Sequence, residues 1–293
     1  MATGTVRPMI LITGASGRVG RLLERRLGEE FPDRVVAATR EELDLTDLDR
    51  LTLEIERLDP SPTVTINCAA STNPAMAELT PEAALLINRE GPARLALTCR
   101  EIGCRIIHLS TVDVFDGRKP SAYREEDPPT PVTSYARSRY LGELGVGHEN
   151  PDHLVVRLSM LCGDGDPEDP LERIREAIGA GVPLSWGDRQ VSPIFAEDFT
   201  AAFLSILRSG WRGVLHLANS GSCLLSELVE EVNGPGRGIR VPDLIGGVGP
   251  ASFWEGAGPN SALDSRRFSA LSGRRLRDWK SALSAIASAH GGR

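Results

Sequence analysis

Residues Met9 to Gly20, reading M-I-L-I-T-G-A-S-G-R-V-G, restrict what this chain can fold into more than any other stretch. Met9-Ile10-Leu11-Ile12 is an apolar run between Pro8 and Gly14, too short for a helix, and it reads as a buried strand. Glycines at 14, 17 and 20 follow, and a helix begins inside them. Gly14 permits a tight turn. Without a Cβ at Gly17 a pyrophosphate can approach the backbone, and Gly20 lets the helix pack closely on the strand. The free N–H groups at the helix start then face the phosphates. Gly14, Ser16, Gly17, Arg18 and Val19 are therefore the candidate dinucleotide-binding turn.

The 293 residues, 41% of them hydrophobic, suffice for one α/β unit with a smaller lobe or for two domains. A net charge of −7 argues against a general nucleic-acid binder. Cys68, Cys99, Cys104, Cys162 and Cys223 form no C-x-x-C, which suits a reduced interior better than disulfides or zinc. The five histidines lie far apart and make no ligand pattern, so no metal is expected. The first residues lack a signal-peptide apolar region, and no apolar run approaches about 18 residues. The expectation is a soluble, cytoplasmic protein with no membrane partner and a small-molecule substrate; a homodimer is left open.

Strands and helices alternate along the chain. Residues 18–31 read as an amphipathic helix with Val19, Leu22, Leu23 and Leu27 on one face. A strand at 35–39 ends on Arg40. At this place in a dinucleotide fold an acidic residue favours a free 2′-hydroxyl and a basic one suits a 2′-phosphate. Arg40 with Arg18 points to NADPH, with NADH as the alternative; two solvated surface arginines are the other reading. Thr46 or Asp47 caps a helix running to about Leu58. A strand at 64–67 leads into Cys68-Ala69-Ala70-Ser71, whose small side chains let a cofactor lie close. Helical segments at 81–88 and 91–102 precede a strand at 105–109 that delivers Ser110-Thr111, hydroxyls able to hold a substrate carbonyl. Further helices read at 171–180, to about Leu207, 226–233 with Ser226 as cap, and 278–289, with strands at 153–157 and 214–218. The stretch 234–259, rich in Gly and Pro, reads as mostly loop, over the substrate site or at an interface. This alternation implies a doubly wound parallel sheet of Rossmann type with its ligand at the strands' carboxyl ends.

Several segments carry a resemblance. The spacing T-G-x-x-G-x-x-G from Thr13 resembles that of the extended short-chain dehydrogenase/reductase family. Ser110 to Gly117 (S-T-V-D-V-F-D-G) is similar to the S-T-D-Y-V-F-D-G signature of the dTDP-4-dehydrorhamnose reductases, with Val112-Asp113 in place of Asp-Tyr. Ser134 to Glu143 resembles the Y-x-x-x-K helix and its trailing G-E, with Tyr135 kept and Arg139 at the lysine position. Asn88 to Gly91 resembles the N-x-x-G element. Arg157 to Met160 resembles R-x-S-W, with Met160 in place of the tryptophan, and Asn260 to Asp264 resembles N-S-x-L-D. Gly187 to Asp198 resembles the element that returns to the nucleotide domain.

The resemblance implies an NADPH-dependent reductase of a nucleotide-activated 4-keto sugar or a related ketone. It assigns Tyr135 as proton donor and Thr111 to the carbonyl oxygen, with Ser110 as second candidate. Asn88 organises the site, and Asp44 and Leu45 lie against the adenine. Ala69, Ala70, Ser71, Tyr135 and Arg139 line the cofactor, and Met160 the sugar. It implies a dinucleotide-binding domain over 1–157, to which 190–218 returns, and a smaller C-terminal lobe over 158–293 that is mainly substrate-binding. Arg139 keeps the positive charge that favours a phenolate, but its planar guanidinium cannot pass a proton onward as an ammonium can. That departure keeps a second reading open, a non-catalytic dinucleotide-binding protein resembling the regulatory β subunit of methionine adenosyltransferase. An epimerase or dehydratase is a third, against which Arg18 and Arg40 count.

Overall fold

The computed structural model describes residues 9–181, 188–234 and 258–290. Residues 1–8, Gly187 and most of the expected loop, 235–257, lie outside the described residues. The chain divides into two compact units. The first is Met1–Ser110, Arg137–Val156 and Ile206–Val214; the second is Thr111–Ala136, Arg157–Ser205 and Leu215–Arg293. This differs from the expected 1–157 with a return over 190–218. Residues 111–136 join the second unit because their backbone bonds with the C-terminal segment: Tyr123 N–H donates to the Ala262 carbonyl (2.8 Å) and Asn260 N–H to the Gly117 carbonyl (3.0 Å). The return to the first unit is confined to Ile206–Val214.

The first unit carries a six-stranded sheet. Its strands are β1 (Ile10–Thr13), β2 (Val35–Ala38), β3 (Val64–Asn67), β4 (Arg105–Thr111), β5 (His153–Leu158) and β9 (Gly213–Leu217), in the order β2-β1-β3-β4-β5-β9. β1 pairs in parallel with both β2 and β3, and β3 with β4. The chain starts in mid-sheet, adds β2 on one side and crosses to β3 on the other. The order therefore reverses between β1 and β3, and a crevice opens there at the carboxyl ends. All four residues of β1 are buried, as a parallel strand covered on both faces requires.

Helix α1 (Arg18–Glu30) buries Gly20, Leu22, Leu23 and Leu27. Helix α2 (Leu48–Glu56) is capped by Asp47, whose side chain accepts the Arg50 N–H (3.2 Å); Thr46 instead donates to Asp44. Helices α3 (Pro74–Leu79) and α4 (Pro81–Leu85) lead to a π-helical turn, Leu86–Glu90, before α5 (Gly91–Glu101). Leu11, Leu45, Leu51, Ile55, Leu95 and Ile106 are among the residues of this unit's core. Helix α6 (Ser134–Glu149) begins at Thr133, whose hydroxyl accepts the Ala136 N–H (3.1 Å).

The second unit contains the pair β6 (Met160–Cys162) and β8 (Pro193–Phe195), and β8 runs directly into helix α8 (Ala196–Leu207). It also holds three short strands ordered β10 (Cys223–Leu224), β7 (Gln190–Val191) and β11 (Asn260–Ser261). Leu171, Ile174 and Ile178 of α7 (Pro170–Ala180) share a core with Leu225, Leu228 and Val229 of α9 (Leu225–Asn233). Trp279, Ala282 and Leu283 of the last helix (Trp279–His290) complete it. Ser226 is not the cap expected for α9. The helix starts at Leu225, the Glu227 carboxylate holds the Leu224 N–H (2.7 Å), and Ser226 bonds to Asp188. Among the described residues no helix is long and apolar enough to cross a membrane.

Candidate active site

In the first unit a cleft of about 300 Å³ opens at the carboxyl ends of β1 and β3. Gly14, Ser16 and Gly17 line one wall, Arg40, Leu43, Asp44, Leu45 and Thr46 a second, and Cys68, Ala69, Ala70, Ser71 and Ile87 a third. The glycines divide their roles by geometry. Gly14 has φ +69°, and a Cβ there would lie 2.6 Å from the Ala69 Cα. A Cβ on Gly20 would lie 2.3 Å from the Gly14 carbonyl oxygen. A Cβ on Gly17 would meet just that oxygen, at 3.3 Å, so its outer side is open for a ligand to approach the backbone. Burial pushes the Asp44 carboxyl up, but hydrogen bonds from Thr46 and Arg40 hold it below its ordinary value. Arg40 bonds Asp44 at 3.2 Å with its side chain 71% exposed, so it can turn to an anion at the mouth of the cleft. Val19 and Arg18 lie half-buried at the start of α1.

Asn88 stands buried in the π-helical turn. Its amide oxygen accepts the Ser71 N–H (2.8 Å), and its amide nitrogen donates to the Ser71 carbonyl (3.1 Å) and to the Ser138 hydroxyl (2.9 Å). It ties the loop after β3 to α6, and both amide protons are engaged. Ser110, the second carbonyl candidate, is committed elsewhere: it is buried, and its hydroxyl donates to Glu143 (2.5 Å). Arg139 is also buried, and one guanidinium nitrogen donates to the Leu109 carbonyl at the end of β4. Its Nε has no hydrogen-bond partner. Its charge reaches Cys68 in the cleft wall, where burial nonetheless pushes the thiol up to about 12.

These residues fit a dinucleotide. The open side at Gly17 and the exposed Arg40 would meet phosphate oxygens, and the orphaned buried Nε–H of Arg139 would donate to a ribose oxygen. No His, Cys, Asp or Glu grouping able to hold a metal occurs among the described residues.

A buried polar ladder underlies the cleft. The Thr13 hydroxyl donates to the Asn67 amide oxygen (2.8 Å), which also accepts the Ala69 N–H (3.1 Å). Asn67 must therefore donate through its nitrogen to Nδ1 of His108 (3.0 Å), which makes His108 neutral with its proton on Nε2. Burial, then the Arg139 charge, lowers the His108 pKa to about 3. In the second unit burial and Arg157 do the same to His216, also to about 3. Both histidines gain protons in the unfolded chain near pH 6.5 but not in the native one until about 3. The unfolded chain thus binds more protons across that interval, and stability is lost as pH falls through it, by up to about 1.4 kcal/mol per pH unit for each histidine. Urea midpoints between about pH 7 and about pH 5 should fall accordingly, with a shallower slope in His216→Leu. A flat profile would mean that these imidazoles are charged inside the protein.

The second unit holds Tyr135 in a separate, smaller cleft with Val112, Asp113, Phe115, Thr133, Arg189 and Ser261 along its walls. The Val112–Gly117 run builds it. Thr111 caps a 3-10 turn, Val112–Val114; its hydroxyl donates to the Asp113 carboxylate (2.7 Å) and accepts the Asp113 N–H (3.2 Å). Phe115 stacks on Tyr123 with centroids 4.1 Å apart, and the Tyr123 hydroxyl donates to Asp116 (2.8 Å). Gly117, at φ +73°, lies against Gly258 so closely that a Cβ would sit 2.5 Å from the Gly258 carbonyl oxygen. The Asn260 side chain donates to the Lys119 and Ser121 carbonyls (2.7 and 2.9 Å). Two segments singled out separately in the sequence are thus bonded to each other. Met160 does not join this wall; it lies half-buried against the core that Leu171 and Trp279 share. Asp113 and Ser261 were not foreseen as site residues. Their signal lay in the Asp113 departure and in the serine of Asn260-Ser261-Ala262-Leu263-Asp264.

Comparison with known proteins agrees with this arrangement. The family model described as RmlD substrate binding domain matches residues 8–290. The chain is 34% identical over 287 residues to the dTDP-4-dehydrorhamnose reductase of Mycobacterium tuberculosis, covering 94% of this chain and 90% of that one. It is 34% identical over 249 residues to the dTDP-4-keto-6-deoxy-D-glucose reductase of Streptomyces niveus, covering 81% and 84%. The Bacillus anthracis dTDP-4-dehydrorhamnose reductase, solved in complex with NADP, superposes with a TM-score of 0.81 at 24% identity, covering 96% of this chain and 98% of that one. The reading as a non-catalytic regulatory protein is not favoured, since relatives of nearly full length are reductases by name. The chain belongs to the RmlD substrate-binding domain family, within the dTDP-4-dehydrorhamnose reductase-like extended short-chain dehydrogenase/reductases.

Proposed function

We propose that this protein is an NADPH-dependent reductase of a dTDP-activated 4-keto sugar. What carries the reading is the second-unit cleft: the Val112–Gly117 and Asn260–Asp264 segments bond to each other there and surround Tyr135. The first-unit cleft lined by Gly14, Gly17, Arg40 and Ser71 would hold the dinucleotide, whose chemistry when bound would be hydride donation to the carbonyl carbon. Tyr135 donates its phenolic proton to the carbonyl oxygen as charge develops on it. Arg139, one helical turn further along α6, contributes a buried positive charge and the Nε that fits a ribose hydroxyl. Asn88 fixes the Ser71 loop and the Ser138 turn of α6 to each other. Thr111 departs from the expected role: its hydroxyl proton goes to Asp113, so in this arrangement it has no hydrogen to give the carbonyl oxygen.

The test is NADPH oxidation, followed by absorbance, with dTDP-4-dehydrorhamnose as substrate. A protein that binds NADPH and turns over no nucleotide keto-sugar would be no reductase. Arg40 sets the cofactor preference in this reading. Arg40→Ala should raise KM for NADPH about tenfold, the loss of one charge-assisted contact to a 2′-phosphate, and leave KM for NADH within about twofold. Equal effects on both cofactors would remove Arg40 from phosphate recognition.

A further inference from the structure

Ser261 combines three observations. It is only 6% exposed, its Oγ has no hydrogen-bond partner, and it lines the cleft that contains Tyr135 and Asp113. Its backbone leaves the side chain little choice of position. Ser261 pairs in parallel with Val191, its carbonyl accepts the Ser159 hydroxyl (2.8 Å), and the neighbouring Asn260 side chain is fully engaged by the Lys119 and Ser121 carbonyls and the Ala262 N–H. A buried hydroxyl held by a rigid strand pair and left without a partner is a hydrogen-bonding site for a ligand group.

The chemistry of that group follows from its surroundings. Asp113 is an acceptor and already takes the Thr111 proton, so this wall matches a substrate donor. Arg189 lies near enough for its charge to act on Asp113, so the donor matched here is a neutral hydroxyl rather than an ammonium. The cleft has a volume of about 20 Å³, room for about one water. A single small substrate group fills it, so a hydroxyl bound there sits on an atom adjoining the carbonyl carbon whose oxygen meets the Tyr135 phenol of the same cleft.

We propose that Ser261 Oγ binds the hydroxyl on the ring carbon next to the reacting carbonyl, on the Asp113 wall of the Tyr135 cleft, making the protein selective for α-hydroxy ketones. The inference rests on the reductase reading above and adds a specificity-determining residue to it. Ser261 makes no covalent step; it orients the ring so that the carbonyl oxygen faces the Tyr135 phenol.

The experiment compares dTDP-4-dehydrorhamnose with its 3-deoxy analogue, with NADPH, in wild type, Ser261→Ala and Ser261→Thr. Wild type should prefer the hydroxylated ketone. Ser261→Ala should lose about tenfold in kcat/KM for that ketone and less than about twofold for the 3-deoxy analogue, the pattern of one deleted hydrogen bond. Ser261→Thr, which keeps the hydroxyl, should retain the preference. An equal loss with both ketones, or no loss with either, overturns the assignment while the reductase reading stands. Wild-type protein that binds NADPH and reduces neither ketone overturns both.

Discussion

Tyr135→Phe is expected to lower kcat by about 100-fold or more, the low end of what removing a positioned proton donor costs. The substitution is close to a pure test of the hydroxyl. Tyr135 is buried in the first turn of α6, and phenylalanine keeps the ring that packs there. NADPH affinity should stay within about twofold, because the groups fitted to the dinucleotide are those of the Gly14 to Ser71 cleft and the Arg139 Nε, and the Tyr135 hydroxyl is not among the cleft lining. KM for the ketone should also change little, since the phenol's effect is felt as the alkoxide forms rather than in the ground state. Steady-state kinetics with a separate NADPH titration resolves these quantities. A kcat within about threefold of wild type would take Tyr135 out of the mechanism.

The second large effect is on the fold. Gly142 sits in α6 where that helix crosses the π-helical turn, and a Cβ there would lie 2.0 Å from the Asn88 carbonyl oxygen. Backbone cannot yield as a side-chain tip can, so Gly142→Ala forces α6 away from the turn. The cost should be about 3 kcal/mol or more, the upper range for overpacking and a large share of a domain's usual 5–15 kcal/mol. Displacing α6 also stretches the Asn88–Ser138 bond, so NADPH binding should weaken even under conditions where the variant is folded. Gly28→Ala is the matched control. It lies in α1 with nothing within 4 Å of its Cβ, and there alanine should leave stability unchanged or raise it by up to about 1 kcal/mol. Chemical denaturation of the two variants beside wild type decides the point; a Gly142→Ala midpoint equal to wild type would show that α6 has slack.

Some features were legible because they are local. The strand, glycine turn and helix at 10–30 are written in adjacent residues, as is a cap at Thr46 or Asp47, which the structure assigns to Asp47. The parallel sense of the sheet follows from the alternation of strands and helices, whereas the strand order comes from the fold. The identity of Tyr135 came from one helix and its neighbouring motifs. Ser110 shows where local reading stops. As a hydroxyl at a strand's carboxyl end it is the second candidate after Thr111, yet it bonds Glu143, 33 residues away. Arg139 stands at the lysine position with the charge kept and the shape changed, and which partner its longer, forked side chain reaches, the Leu109 carbonyl of β4, is given by the fold alone. Met160 took a tryptophan's place in a motif but packs on a core assembled from α7 and the last helix.

By itself the sequence determined the α/β class and nominated the dinucleotide turn and the phenol, because each depends on backbone freedom, hydrophobic period or residue chemistry within a few neighbouring positions. The tertiary structure alone decided which polar groups are spent holding the fold and which are left for a ligand. That division depends on partners brought together from distant segments: Thr13, Asn67 and the Nδ1 of His108 engage one another across three strands, while the Ser261 Oγ stays buried without a hydrogen bond. A buried donor or acceptor must be satisfied by something, and only the folded chain fixes what is within reach.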